Sequence, residues 1–350
     1  MKVTLSDIAS KVGVTPSTVQ RALNDVEGVS DEKRREIKTV AAAMGYRRNY
    51  LASSLKKGAI NIALVLPEQS GSNRYYARFL WEGAKSAIQG FEQFNFKTYN
   101  YVYDRKAEEE GEVLQRVMEK HASSIDGIIT MGTNNPKQIE MLEKFKEKEI
   151  PVVLVGTDTP RKDLRVCCVC THNETAGRMA ADLLINFSGG APGRSVILSG
   201  DFSISDQFLN AQGFEKGIIE NAFPIEITKM AYNKNQEQVK AGMKALLSSG
   251  LDIFAMYSCS ARNTVSMCEA VAELGLDGKI KLIGSDIFPE AIEYAQNRKL
   301  SAIIHKRPSA QAYDGVQVLV STIVKNQSKI ENIKYVEPVV VMHSNLSCYI

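Results

Sequence analysis

Ser17, Gln20 and Arg21 place a hydroxyl, a carboxamide and a guanidinium at spacing i, i+3, i+4, which is one face of a helix. Pro16 and Asn24 extend the same outward face. Such groups can exchange hydrogen bonds with base edges in a major groove, or grip phosphate oxygens. A solvated polar helix face has the same composition, so the surrounding elements must decide between the two.

Other reactive residues point to less. Cys167, Cys168 and Cys170, followed by His172, could hold a metal. No second cysteine pair stands at zinc-ribbon spacing, however, and residues 165–170 read as a strand in which a buried cysteine acts as a small hydrophobe. No metal is expected. The four histidines (His121, His172, His305 and His343) belong to no motif. No G-x-G-x-x-G follows a strand, and neither G-x-x-x-x-G-K-[ST] nor H-E-x-x-H occurs. The chain is therefore not expected to be an enzyme or to need a cofactor.

The elements that hold Ser17, Gln20 and Arg21 are well marked. Thr4-x-x-Asp7 resembles a capping box that starts a helix with Ile8, Ala9 and Val12 inward. Gly13 ends it in the left-handed region. After Val14, Thr15 caps a second helix and Pro16 takes its first position, where a missing N–H is harmless. Val19, Ala22 and Leu23 face inward there. A few residues including a glycine separate the two helices, which is helix-turn-helix spacing. Ser30 caps a third helix carrying Ile37, Val40, Ala41 and Met44, and Gly45 stops it. Residues 1–58 hold a net charge of +5 and the remainder −2, so the basic character lies where a polyanion would bind.

From Ile60 onward strands alternate with helices. Strands are expected at 60–66, 96–102, 127–131, 151–155, 195–199, 227–231, 252–256 and 280–284. Helices are expected near 78–91, 108–121, 136–148, 174–187, 206–220, 236–249, 261–274 and 288–297. Repeated strand–helix units imply parallel sheets covered on both faces, and there are too many for one sheet of ordinary width. With 44% apolar and 24% charged residues, the chain can bury a large core. No stretch approaches the roughly 20 apolar residues of a membrane helix. The N-terminus lacks an apolar signal core, so a cytoplasmic protein without membrane contact is expected.

Residues 4–55 resemble the lac repressor family (LacI/GalR) headpiece. The match is carried by Thr4-Leu5-x-Asp7-Ile8-Ala9, Val12-Gly13-Val14-Thr15-x-Ser17-Thr18-Val19-x-Arg21-x-Leu23-Asn24, Val29-Ser30 and Met44-Gly45-Tyr46-Arg47-x-Asn49-x-x-Ala52-x-x-Leu55. The resemblance implies that Thr15, Pro16, Ser17, Thr18, Gln20, Arg21 and Asn24 face operator DNA. Gln20 stands where the family usually has Ser, so the operator cannot be copied from a relative. Residues 49–57 are too few for a helix stable alone in water. The family implies a hinge helix that folds on DNA beside its dimer mate, capped by Asn49. There Leu55 is the minor-groove wedge, Ala52 permits close approach and Lys56 neutralises phosphate.

The rest of the chain resembles the same family's effector domain, shared with periplasmic sugar-binding proteins. The markers are His172-Asn173-x-x-Ala176-Gly177, Gly213-Phe214, Gly284-Ser285-Asp286-x-x-Pro289-Glu290, Pro308-x-x-Gln311-Ala312 and Ser344-Asn345-Leu346. The fold class implied is an all-α helix-turn-helix headpiece plus an α/β effector domain of two Rossmann-like subdomains, periplasmic binding protein-like type I. The divisions expected are a headpiece at 1–48, a hinge at 49–58 and an effector and dimerisation domain at 59–350. Within the last, an N-subdomain takes about 60–170 and 306–333, and a C-subdomain takes 171–305 and 334–350.

Ligands of such sheets bind at the strand C-termini. The resemblance places Tyr75, Tyr76, Asp206, Asn210, Ser258, Arg262, Asp286 and Lys306 in that cleft. Asn210 replaces a usual Arg, Tyr257-Ser258-Cys259-Ser260 replaces a usual Asn-Asp pair, and Lys306 replaces a common Gln. The effector that the resemblance implies is a small carbohydrate-like molecule, with a modified or acidic sugar or another polyol left open. The function implied is a transcription regulator, most simply a repressor, that binds a pseudo-palindromic operator as a homodimer. Residues 78–91 are expected to form its dimer surface, with Phe79 and Trp81 available. A tetramer is not expected, because the chain ends on a last strand without a heptad tail. The alternative is a sugar-binding, transport-type protein, against which the basic headpiece argues.

Overall fold

The computed structural model describes residues 5–23, 27–44, 59–91, 95–104, 109–199, 205–231, 236–325 and 331–350. Thr4, Asn24 and the whole hinge segment, with Asn49, Ala52, Leu55 and Lys56, lie outside the described residues.

Three short helices form the headpiece: α1 (Leu5–Val12), α2 (Pro16–Leu23) and α3 (Asp31–Ala43). Their core is small: Ile8, Ala9, Val12, Val19, Ala22, Ile37 and Ala41 are buried together.

The body contains two six-stranded sheets. The elements of the first half are β1 (Ile60–Pro67), α4 (Ala77–Gln89), β2 (Phe96–Tyr103), α5 (Glu110–His121), β3 (Gly127–Thr130), α6 (Pro136–Glu147), β4 (Val152–Val155) and β5 (Cys167–Thr171). Those of the second are α7 (Asn173–Ser188), β6 (Gly193–Ser199), α8 (Ser205–Glu220), β7 (Ile225–Ala231), α9 (Gln236–Leu247), β8 (Ile253–Ser258), α10 (Ala261–Glu273), β9 (Lys281–Ser285), α11 (Pro289–Gln296) and β10 (Ala302–His305). The chain then returns to the first half as α12 (Pro308–Lys325) and β11 (Ile333–Val336), and crosses again to β12 (Val339–Val341).

The strand orders are β11-β5-β4-β3-β1-β2 and β12-β10-β9-β8-β6-β7. All neighbours are parallel except β10 and β12. In β1 the period of two sends Ile62, Leu64 and Leu66 to one core and Ala63 and Val65 to the other. Cys167 and Cys168 likewise face opposite cores, so their thiols diverge and act as buried apolar groups.

Three expectations need correction. The expected N-subdomain ends at 333, but β11 (Ile333–Val336) pairs with β5, so the last crossing falls between Val336 and Val339. Its four residues are too few to show a period against the flanking polar segment. Second, residues 346–348 form a 3-10 turn rather than a strand. Third, Trp81 is not available for a dimer contact. It is 2% exposed, and its indole N–H donates to the Pro67 carbonyl at 2.8 Å. Phe79 packs on the core of the second half. The exposed residues of α4 are polar: Arg78, Glu82, Lys85, Ser86 and Gln89.

Helices α7 and α8 cross so closely that only glycine fits at the contact. A Cβ on Gly177 would lie 2.0 Å from the Asn210 carbonyl oxygen, and one on Gly213 would lie 2.1 Å from that of Glu174. This contact fixes the first turns of both helices, which face the other half. Gly213→Ala is expected to destabilise the body by about 1–3 kcal/mol through overpacking. Urea denaturation of the variant checks this, and an unchanged midpoint would mean that the helices separate freely.

Candidate functional site

The turn before α2 follows from its residues. Gly13 takes φ +69°, and the Val14 N–H donates to the Ala9 carbonyl at 3.0 Å, closing α1 in a Schellman arrangement. Lys33 Nζ donates to the Val12 carbonyl at 3.1 Å and ties α3 to that end. The Thr15 hydroxyl caps α2 by accepting from the Thr18 N–H at 3.2 Å. It also meets the Ser17 and Thr18 hydroxyls at 2.8 and 2.9 Å. Thr15, Pro16, Ser17, Gln20 and Arg21 are exposed, while Thr18 is half-buried. The face expected from spacing is therefore displayed on a capped, packed helix. Arg21 lies against the loop leading to α3, 3.4 Å from where a Gly28 Cβ would stand.

Between the two halves of the body lies a cavity of about 760 Å³. On the first half it is bounded by the loops that follow β3 and β4, including Thr133, Asn135, Thr157 and Asp158. On the second half it is bounded by the first turns of α7 and α8, including Asn173 and Asp206. The two loops brace each other. The Gly132 N–H donates to the Thr157 carbonyl at 2.9 Å, and the Thr157 hydroxyl returns to the Gly132 carbonyl at 2.7 Å. The Thr133 hydroxyl donates to buried Glu110 at 2.5 Å. Arg165 holds both Asp158 oxygens at 2.6 Å, a bidentate geometry that sets the carboxylate plane.

Of the residues expected in the cleft, Asp206 lines this cavity. Its Oδ1 is buried without a hydrogen-bond partner among the described residues. Burial raises its pKa, and the charge of Lys306 opposes that shift. Tyr76 is half-buried; its hydroxyl donates to Gln311 Oε1 at 3.1 Å. Burial, with Asp286 and Asp206 adding to it, pushes this phenol well above its ordinary pKa.

The others are placed differently. Tyr75 is 2% exposed and sits in the core of the second half, its ring 4.8 Å from Phe288 and 4.2 Å from the Arg74 guanidinium. Arg74 also pairs with Glu290 at 2.8 Å, so this segment of the first half is fastened to α11. Buried Asn210 accepts from the Tyr257 hydroxyl at 2.5 Å. Ser258 is buried, and its hydroxyl donates to the Ser260 carbonyl at 2.8 Å. Arg262 is half-buried, and its carbonyl accepts from Gln236 at 3.4 Å. None of these four lines the cavity.

Asp286 and Lys306 form a buried pair at the crossing between the halves. Asp286 is 0% exposed and Lys306 6%. The carboxylate accepts from the Lys306 N–H at 2.8 Å, and its Oδ2 lies 3.3 Å from Nζ. Nζ also donates to the Cys259 carbonyl at 3.1 Å. Burial acts to raise the Asp286 pKa, but Lys306 and His305 outweigh it and hold the carboxyl below its ordinary value. Burial acts to lower Lys306, yet Asp286 and Asp206 carry it upward.

Sequence reasoning missed Thr133, Asn135, Thr157, Asp158 and Asn173. A usable signal was present: polar clusters directly after β3 and β4, at the strand ends where ligands bind.

Comparison with known proteins adds an independent line. Residues 4–49 match the model of bacterial regulatory proteins of the lacI family, and residues 134–327 match a periplasmic binding protein domain. The HTH-type transcriptional regulator DegA of Bacillus subtilis (strain 168) is 26% identical over 296 residues, covering 82% of each chain. Catabolite control protein A of Staphylococcus epidermidis is 27% identical over 245 residues, covering 70% of this chain and 69% of that protein. Among solved structures, GanP, a glucose-galactose binding protein from Geobacillus stearothermophilus, superposes with a TM-score of 0.70 at 24% identity, covering 83% of this chain and 99% of that one. A periplasmic solute binding protein from Actinobacillus succinogenes 130z with bound D-allose gives 0.72 at 22% identity, covering 83% and 100%. At these identities the structural likeness is one of fold.

Lys306→Met should remove the charge partner of a buried carboxylate and destabilise the protein by about 3–5 kcal/mol near neutral pH. Asp286, with its folded pKa depressed, contributes stability above the unfolded aspartate pKa. That contribution is lost as pH falls through the folded value. Without the lysine, Asp286 would fold protonated and cost less at low pH, so the gap between wild type and variant should narrow on acidification. Urea melts across pH measure it, and a gap independent of pH would contradict the charge pairing.

Proposed function

We propose, from the premise that this chain is a lacI-type DNA-binding regulator whose larger part belongs to the periplasmic binding protein domain family, that a small polyol or sugar in the cleft sets its grip on an operator. The observation that carries this is a pairing within one chain. A capped helix-turn-helix with an exposed polar α2 stands ahead of a two-lobed body with a polar cavity between the lobes. Ser17, Gln20 and Arg21 would read bases or hold phosphates, and Thr15 and Thr18 would position the helix start.

The operator is pseudo-palindromic in this proposal because two chains act as a dimer, each reading one half-site. Residues 49–57 form the hinge, with Asn49 as cap, Ala52 at the close approach, Leu55 as wedge and Lys56 on phosphate. The effector acts by changing the angle between the lobes, which moves the paired hinges together or apart. Its coupling to DNA should be on the order of 1–3 kcal/mol. The protein works without chemistry on its ligand, in the compartment that holds the DNA. Among the described residues no helix is long and apolar enough to cross a membrane.

Selection of binding sites from random duplexes with the full chain, followed by anisotropy titration, tests the proposal. A two-fold symmetric site is expected. Leu55→Ala should weaken binding to that site by at least about tenfold, as loss of a base-step wedge would, while leaving affinity for random DNA nearly unchanged. Equal loss on both DNAs would remove the wedge role, and failure to enrich any site would remove the regulator reading.

A further inference from the structure

The cavity between the lobes carries unbalanced charge. Among the described residues, five carboxylic residues line it (Glu109, Glu110, Asp158, Glu174 and Asp206), against one lysine or arginine, Lys162. Asp158 is neutralised by Arg165, and Glu174 by Lys216 and Arg178. Glu110 is held by the Thr133 hydroxyl and Glu109 by the Asn135 amide, which are neutral partners. Asp206 Oδ1 has no hydrogen-bond partner among the described residues, although the Gln207 and Asp206 backbone N–H groups act on the carboxylate. The ammonium of Lys306 influences it, but that group is already shared with Asp286 and the Cys259 carbonyl. A second polar group stands on the same wall: Asn173 is 8% exposed and lines the cavity.

A buried polar atom without a partner is expensive, and Asp206 Oδ1, on the cavity wall, is one that a ligand would complete. Asn173 and Asp206 lie in the first turns of α7 and α8, whose closely crossed starts hold them at fixed positions. Helix N-termini ordinarily attract anions. Here each already carries its own carboxylate, Glu174 on α7 and Asp206 on α8. An acidic ligand would meet these carboxylates with Lys162 as the only lining lysine or arginine among the described residues, and that residue is exposed. A neutral sugar would meet Asn173 but add no positive charge beside Asp206, whose influence from Lys306 is divided with Asp286. A ligand with an ammonium group satisfies both.

We infer that the effector is an amine-bearing polyol, of the amino sugar class, whose ammonium pairs with Asp206 and whose hydroxyls are read by Asn173. This rests on the reading that the cleft takes a polyol effector. It narrows the sequence-based expectation by turning away from sugar acids.

The test is calorimetric titration of the full chain with matched series. The probes are glucosamine, galactosamine and mannosamine, their neutral parents, their N-acetyl forms, and glucuronic and galacturonic acids. One amine is expected to bind at least about tenfold tighter than its neutral and N-acetyl partners, the gain typical of a charge-assisted contact. Asp206→Asn should bring that ratio close to one, whereas Asn173→Ala should weaken the matched amine and parent alike and keep the ratio. Binding by neutral or acidic members with no advantage for the amine would overturn the inference and leave the polyol reading standing. So would an amine preference that survives Asp206→Asn. Binding by no member, with the protein shown folded by its melt, would overturn both.

Discussion

The buried pair Asp286–Lys306 is the constraint on which the geometry between the lobes depends. Desolvating both charges is costly, and the cost is recovered only if every lone pair and proton nearby is used. The pair meets much of that condition through the chain crossing itself, although Asp286 Oδ2, 3.3 Å from the ammonium, and His305 Nδ1 have no hydrogen-bond partner among the described residues. The Lys306 N–H, its ammonium and its carbonyl are all engaged, the last by the Thr171 hydroxyl at 2.6 Å and the Gln311 amide at 2.6 Å. Two neighbouring residues adopt left-handed backbone to allow it, Asp286 at φ 64° and Arg307 at φ 57°. Aspartate tolerates that region better than most residues, because its short side chain can bond locally.

From this pair a continuous set of hydrogen bonds crosses the boundary between the lobes. Lys306 leads to Gln311, and Gln311 to Thr171 on one side and to the Tyr76 hydroxyl on the other. Tyr76 stands in the segment that also carries Arg74 and Tyr75, both fastened to the second lobe. The cleft is therefore asymmetric. One edge is closed by Tyr75 against Phe288, and the other holds the cavity bounded by Thr133, Asp158, Asn173 and Asp206. A ligand on the second edge acts on a joint whose first edge is already held, which favours rotation of one lobe about the other over simple opening.

The headpiece was legible in the sequence because its signals are local. Thr15, Pro16, Gly13 and Ser30 each work through hydrogen bonds or backbone preferences within a few residues, and the structure places them as their chemistry demands. The strand–helix alternation was legible for the same reason, since periodicity needs no knowledge of partners. Other features depend on contacts far along the chain. Strand β11 is identified only by its pairing with β5. Tyr75, Asn210 and Ser258 have residue types suited to a ligand, but their direction is set by Phe288, Tyr257 and Ser260 respectively, and they turn inward. Asp206 was identified by its place in a motif, whereas its unsatisfied oxygen is visible only once the opposing lobe is in position.

Linkage between the two ends of the molecule tests the account most directly. The measurement is a thermodynamic box on the full chain: operator affinity with and without saturating cleft ligand, and ligand affinity with and without operator. The operator dissociation constant is expected to change by about 5- to 150-fold, and the ligand constant by the same factor. A factor of one on both sides would show that the cleft and the headpiece do not communicate, and would contradict that expectation.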